Sequence, residues 1–192
     1  MNSEEVLDIF RECGAMLEGH FILTSGLHSP VFLQKARVFM QADKTAILCS
    51  ALADLIRKKF GDSIDYVVGP AIGGIIPAYE TSRHLGVPNV WVEREDGEFR
   101  LRRFELQKGS RVVIIEDIVT TGLSIRETVT SLQKIGADVL AAGCLVDRSA
   151  GKADVGVPLI ALAEHEVPAY PADQLPAELA AIPAVKPGSR NL

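Results

Sequence analysis

Cysteine is scarce in this chain of 192 residues: there are three, Cys13, Cys49 and Cys144. They lie tens of residues apart with no metal-ligand spacing and sit in apolar or helical stretches, so they read as buried free thiols suited to a reducing cytosol. A chain of this length builds a full core without disulfides or structural metals. Positive charge is not in excess either. Twenty basic residues against twenty-five acidic ones leave a formal charge of −5, which offers no footprint for a polyphosphate backbone and excludes nucleic acid as a partner. The N-terminus, MNSEEVLDIF, carries acids where a signal peptide would carry Lys or Arg. Runs free of charge are too short and too broken by Gly and Pro to span a bilayer, so no membrane role is expected. Repeats and low-complexity segments are also missing, which sets aside solenoids and leaves a single domain, residues 1–192, as the expectation.

What is present is hydrophobic period. Ser3 caps an expected helix with apolar positions Val6, Leu7, Phe10 and Leu17, which Gly19 ends. Ile47, Leu48, Ala51, Leu52, Leu55 and Ile56 make one stripe of a second helix between Ala42 and Phe60. Between them, FILTSGLHSPVFLQ reads as two short extended runs joined by a turn at Ser25-Gly26 and broken again at Pro30. From residue 64 the order becomes strand, loop, helix: IDYVVG then PAIGGIIPAYETSRHLG, and RVVIIED then IVTTG then LSIRETVTSLQKIGA. VWVE, VLAAGCLVD and PLIALA are further continuous apolar runs, the signature of strands buried on both faces. This is a doubly wound α/β fold, with a mostly parallel sheet, flanking helices and a hood of helix and short strands over about residues 1–40. The α/β core is expected over 41–165. Residues 166–192 form a Pro-rich tail: five of the ten prolines fall between Pro168 and Leu192, so this end should wrap the core irregularly.

In such sheets ligands bind beyond the carboxyl ends of the strands. One end stands out: VVIIEDIVTTGLS, Val112 to Ser124. Four apolar residues deliver Glu116 and Asp117 to the rim, and Ile118, Val119, Thr120, Thr121, Gly122, Leu123 and Ser124 then open a helix. Backbone N–H groups of a Thr/Gly loop at a helix N-terminus cradle phosphate, with the dipole in support. Adjacent carboxylates repel phosphate but accept hydrogen bonds from a vicinal diol or hold a hydrated Mg²⁺. Together they describe a phosphorylated sugar. The bland alternative is a Glu-Asp pair that merely caps a helix.

This thirteen-residue pattern resembles the phosphoribosyl-diphosphate (PRPP) signature of the type I phosphoribosyltransferases. The resemblance implies that Ile118–Ser124 hold the 5-phosphate, that Glu116 and Asp117 face the ribose hydroxyls, and that a nitrogen base displaces pyrophosphate with Mg²⁺ as cofactor. No dedicated metal ligands are implied beyond Glu116 and Asp117. LTSGLHSPVFLQKARV (Leu23–Val38) and CLVDR (Cys144–Arg148) are similar to the orotate branch of the family, and the likeness runs from about residue 4 to the KPGSR tail. It implies transfer of the phosphoribosyl group to N1 of orotate in pyrimidine nucleotide synthesis. Arg148 then pairs with the orotate carboxylate, and Thr120 hydrogen-bonds the pyrimidine. A guanidinium fork suits a planar carboxylated base; the alternative is a surface salt bridge between Arg148 and Asp147. A purine phosphoribosyltransferase or a non-catalytic PRPP-sensing regulator are the rival functions. Purines lack a carboxylate for Arg148, and such regulators usually add a DNA-binding domain and basic surface.

VVGPAIGGIIPA (67–78) resembles the family's pyrophosphate loop, with Ala71, Gly73 and Gly74 at the turn; its glycines could instead serve only helix packing. Two positions depart from the pattern, Gly73 and Thr24, where many relatives carry Lys. WVEREDGEFRLRRFELQKG (91–109) reads as a hairpin turning at Glu95-Asp96-Gly97. By position it matches the mobile catalytic loop, shortened and arginine-rich, so Arg94, Arg102 and Arg103 become candidate cations, against a plain solvated hairpin. The resemblance also implies a homodimer and a cytoplasmic enzyme. His20, His28, His84 and His165 show no metal spacing, His28 alone lying in the segment expected at the base. Lys35 and Arg37 read as surface cations.

Overall fold

The computed structural model describes residues 1–23 and 26–187. Its centre is a six-stranded sheet in the order β5-β4-β3-β6-β7-β8, built from β3 (Tyr66–Pro70), β4 (Asn89–Glu95), β5 (Glu98–Arg100), β6 (Arg111–Val119), β7 (Asp138–Asp147) and β8 (Leu159–Glu164). All neighbours pair in parallel except β5, which folds back antiparallel on β4. The chain leaves the middle in both directions. β3 passes through α4 (Ile75–Leu85) outward to β4, and β6 passes through α5 (Leu123–Lys134) the other way to β7. Crossovers of one hand that travel in opposite directions put their helices on opposite faces. The gap between the ends of β3 and β6 is therefore the topological switch point, where open sheets bind ligands.

Alternation along β6 divides the interior into two cores. Val113 and Ile115 pack with Leu48, Leu52 and Ile56 of α3 (Ala42–Phe60) and with Val6 and Phe10 of α1 (Ser3–Glu12). Val112 and Ile114 pack with Ile125, Val129 and Leu132 of α5. On this second face α5 has irregular chain beside it, with Leu101, Phe104 and Leu106 packed against the same core.

The hood differs in detail from the sequence expectation. The cap of α1 is Asn2 rather than Ser3, in a capping box: Asn2 Oδ1 accepts from Glu5 N (3.0 Å) and Glu5 Oε2 from Asn2 N (2.8 Å). The helix stops at Glu12, Gly14 (φ 61°) turns the chain, and Leu17 lies in β1 (Met16–Ile22), since its apolar side chain satisfies either period. Pro30 does not break β2 (His28–Leu33). The β1–β2 register shifts between Glu18 and Phe21, opposite Pro30, and such an irregularity tolerates a residue with no N–H. After β2 comes a single turn, α2 (Ala36–Phe39), that the pattern did not signal.

The tail is stitched to the hood rather than merely draped. Tyr170 and His28 exchange backbone hydrogen bonds of 2.8 Å, and Val185 N donates to His20 O at 2.8 Å. Between them lies the short α6 (Ala177–Ala180). Thr24, Ser25 and the end from Gly188 lie outside the described residues, and with them one expected departure from the family pattern and most of the KPGSR resemblance.

Candidate active site

At the switch point β6 delivers two buried carboxylates. Asp117 N donates to Glu116 Oε1 (3.0 Å) and Ile118 N to Asp117 Oδ1 (2.5 Å), so backbone holds one oxygen of each. Burial, with the Asp117 charge adding to it, pushes the Glu116 carboxyl up to about 8. Burial raises Asp117 as well, and Lys35 opposes it. Asp117 Oδ2 receives no hydrogen bond among the described residues, yet it forms an ion pair with the Lys35 ammonium, which reaches in from the hood.

Beyond the carboxylates the chain turns into α5. Glu116 and residues 118–125 line a cavity of about 340 Å³. Gly122, the N-cap of α5, has φ 74° and no capping side chain, and Leu123 N reaches Thr121 Oγ1 at only 3.4 Å. The N-terminal turn therefore keeps donors for an anion. A Cβ on Gly122 would stand 2.6 Å from Val155 Cγ1, so this glycine is required by conformation and by packing. Arg126 braces the loop from behind by donating to Thr121 O (3.0 Å) and Asp154 O. No sequence signal marked it.

Across the gap, the turn after β3 uses its glycines differently. Cβ atoms on Gly69 and Gly74 would collide with Gly74 O (2.6 Å) and Pro70 Cδ (2.6 Å), so these two serve close packing of strand on helix. Gly73 instead faces the carboxylates, and its Cβ would lie 2.1 Å from Asp117 Oδ2. Ala71 N is taken by Val92 O (2.8 Å).

At the end of β7, Arg148 N donates to Val119 O (2.8 Å), which puts Arg148 beside the phosphate-type loop. Its Nε is buried and unpartnered, and burial lowers its pKa. Asp147 does not neutralise it, because the Asp147 carboxylate accepts from Ser149 N (2.8 Å), Ser149 Oγ (2.6 Å) and Gly151 N (2.9 Å). The salt-bridge alternative for Arg148 is thus not what the structure contains. One strand further, His165 N donates to Asp147 O (2.8 Å), and His165 Nε2 is likewise buried without a partner. Burial, then the Arg148 charge, holds this imidazole below its ordinary pKa.

Residues 40–160 match the phosphoribosyl transferase domain family. Over the full length of both proteins the chain is 76% identical to orotate phosphoribosyltransferase 2 of Mesorhizobium japonicum and 74% identical to the orotate phosphoribosyltransferase of Brucella ovis. The chain belongs to the orotate phosphoribosyltransferase family. Among solved structures, the orotate phosphoribosyltransferase of Aeropyrum pernix superposes with a TM-score of 0.69 at 27% identity, covering 83% of this chain and 93% of that one.

The hairpin of β4 and β5 packs against α5. It forms as expected, turning through Asp96 (φ 52°) and Gly97 (φ 85°), the left-handed pair of a type I′ turn. Its arginines are engaged locally. Arg94 pairs with Glu127 of α5, donates to Gly97 O (2.8 Å) and stacks on Phe99 at 4.3 Å; Arg102 pairs with Glu95 (3.2 Å) and Arg103 with Glu93 (2.7 Å). They are not brought to Glu116 and Asp117. Lys35, read from sequence as a surface cation, is there instead. Arg37 donates to Gly14 O (2.8 Å) and stays in the hood. His28 Nδ1 meets His20 Nε2 at 2.5 Å, within the hood.

Proposed function

We propose that this protein transfers the phosphoribosyl group of PRPP to N1 of orotate, giving orotidine 5′-monophosphate and pyrophosphate in pyrimidine nucleotide synthesis. The 5-phosphate sits on the uncapped start of α5 within Ile118–Ser124, and the ribose hydroxyls donate to Glu116 and Asp117. Arg148 takes the orotate carboxylate, Thr120 bonds the ring, and the turn of Ala71, Gly73 and Gly74 receives the pyrophosphate at Gly73, since Ala71 N and Gly74 N are bonded to Val92 O and Pro70 O. The observation that carries this reading is the Arg148 guanidinium, half buried beside the phosphate-type loop with no carboxylate partner among the described residues. A buried charge of this kind calls for an anionic ligand.

No protein nucleophile is needed. As the C1′–O bond breaks, its electron pair leaves on pyrophosphate, the orotate N1 electron pair forms the new C1′–N bond, and the N1 proton passes to solvent. Catalysis then rests on positioning and on stabilising the positive ribose and the leaving anion. The buried Glu116–Asp117 pair lies on the side where positive charge grows. Mg²⁺ fits the donor set once the Lys35 ammonium moves off Asp117 Oδ2, a buried oxygen that accepts no hydrogen bond, with Glu116 next to it. Held there with PRPP, the ion would neutralise phosphate charge. Among the described residues no group of three or more His, Cys, Asp or Glu gathers into a metal site.

Arg94, Arg102 and Arg103 serve as closing cations. Exposed ion pairs such as theirs are screened by solvent and contribute little, so exchanging Glu93, Glu95 or Glu127 for pyrophosphate costs little. The working unit is a homodimer, supported by an exposed apolar stripe of Ile72, Ile76 and Tyr79 beginning in the pyrophosphate turn itself. The setting is cytoplasmic, in keeping with three free, buried cysteines. Among the described residues no helix is long and apolar enough to cross a membrane.

The test is loss of orotate absorbance in the presence of PRPP and Mg²⁺. Orotate should be consumed and uracil, which has no carboxylate, should not. Equal use of both, or no turnover of orotate, overturns the reading.

A further inference from the structure

One charged contact ties the hood to the sheet rim. Lys35 lies between β2 and α2, and its ammonium pairs with Asp117 Oδ2. The Lys35 side chain is 42% exposed and that of Asp117 2%, so the cation caps a buried anion and keeps a face towards solvent. Gly73 makes room for it. A Cβ at that position would lie 2.8 Å from Lys35 Nζ and 2.1 Å from Asp117 Oδ2, so the ion pair fills the volume that a side chain at 73 would take. The pyrophosphate-type turn, the ribose-type carboxylate and an ammonium thus converge on one point. Arg37, close by in sequence, is committed elsewhere, to Gly14 O (2.8 Å).

We infer that Lys35 is the floor cation of the pyrophosphate subsite, resting on Asp117 before PRPP binds and turning to the pyrophosphate oxygens when it does. This rests on the phosphoribosyl-transfer reading above. Two adjacent buried carboxylates need a nearby positive charge. PRPP replaces that need, because its ribose hydroxyls donate to Asp117. The ammonium, with three donors on a flexible stem, is then freed beside an anion of higher charge. When the C1′–O bond breaks and its electron pair passes to pyrophosphate, Lys35 donates a hydrogen bond to the leaving oxygens and keeps its proton. Asp117 then holds Lys35 in reserve, and Gly73 is bare because Lys35 enters from the hood to occupy its space.

Calorimetry of Lys35→Met with inorganic pyrophosphate and Mg²⁺, and separately with orotidine 5′-monophosphate, tests this. The expected result is pyrophosphate affinity about tenfold or more weaker, with the monophosphate, which has no pyrophosphate, bound within about twofold of wild type. In turnover, kcat and the KM for PRPP should suffer while the KM for orotate holds, and Lys35→Arg should recover part of the loss. Unchanged pyrophosphate affinity overturns the assignment, and so does equal loss of both ligands, which would mean Lys35 only props Asp117. Lys35→Gln gives the same readouts should the Met variant not fold. A wild type that does not turn over orotate with PRPP defeats the underlying reading; an active wild type with an indifferent Lys35→Met defeats this inference alone.

Discussion

On the proposed reading, Arg148 carries specificity through what it is denied. Asp147 precedes it and would be its obvious counter-ion, but the turn at Ser149 and Gly151 consumes that carboxylate with three hydrogen bonds. The guanidinium is left half buried with Nε unpartnered, a desolvation cost that only a ligand offsets. An orotate carboxylate supplies both charge and fork geometry. Truncation of such a pair costs about 3 kcal/mol, roughly a hundredfold, so Arg148→Ala should raise the orotate KM by about that factor while PRPP affinity stays near wild type. Steady-state kinetics with each substrate varied would check it. Arg148→Lys should recover little, since an ammonium cannot reproduce the fork. Loss of PRPP binding instead would move Arg148 to the phosphate side of the site.

At the scale of elements, legibility followed burial and sequence distance. β6, β7 and α5 are readable because both faces of each strand are covered, leaving continuous apolar runs, and because the proposed phosphate loop is contiguous in sequence. The hood was less so. Leu17 satisfied a helical period yet belongs to β1, and the register shift opposite Pro30 has no mark in the sequence. Lys35 is a surface cation, 42% exposed, but its pairing with Asp117 is illegible in the sequence for a related reason: the partner lies 82 positions on, and no local pattern reports a contact made by tertiary folding. A similar long-range tie aligns the starts of β3 and β6. Asp65 accepts from Arg111 N (2.7 Å), Nη2 (2.9 Å) and Nε (3.2 Å), which lowers its carboxyl from 3.8 to about 2. A carboxyl depressed on folding stabilises above its unfolded value and ceases to as pH falls through the folded one, so this contribution disappears between pH 3.8 and about 2. Thermal melts over that window should fall more steeply for wild type than for Asp65→Asn. The gap should narrow in high salt, because the pair is exposed. Parallel curves would mean that the tie adds nothing to stability.

For the whole molecule, the proposed homodimer would link assembly to catalysis through the location of the exposed apolar surface. Ile76 (47% exposed) and Tyr79 (61%) lie one turn apart on α4, and Ile72 (86%), outside the helix in the turn that leads into it, directly precedes Gly73. A second copy seated on this stripe stands next to the active site, within the region a closing hairpin has to reach. The hairpin is not fastened by its core alone, because the ion pairs that hold Arg94, Arg102 and Arg103 are exposed and exchangeable. If it closes over the neighbour, each site is composite, with Asp117 from one subunit and Arg94 from the other. Arg94→Ala and Asp117→Asn homodimers should then both be impaired, and mixing them should create heterodimers with one intact site, restoring up to about half of wild-type activity per heterodimer by two-site counting. Tyr79→Glu in both subunits should abolish the recovery and shift the molecular mass measured by light scattering towards a monomer. Subunit exchange without recovered activity would place the arginines in their own subunit's site, and a fully active Arg94→Ala homodimer would leave the hairpin as a solvated edge of the sheet.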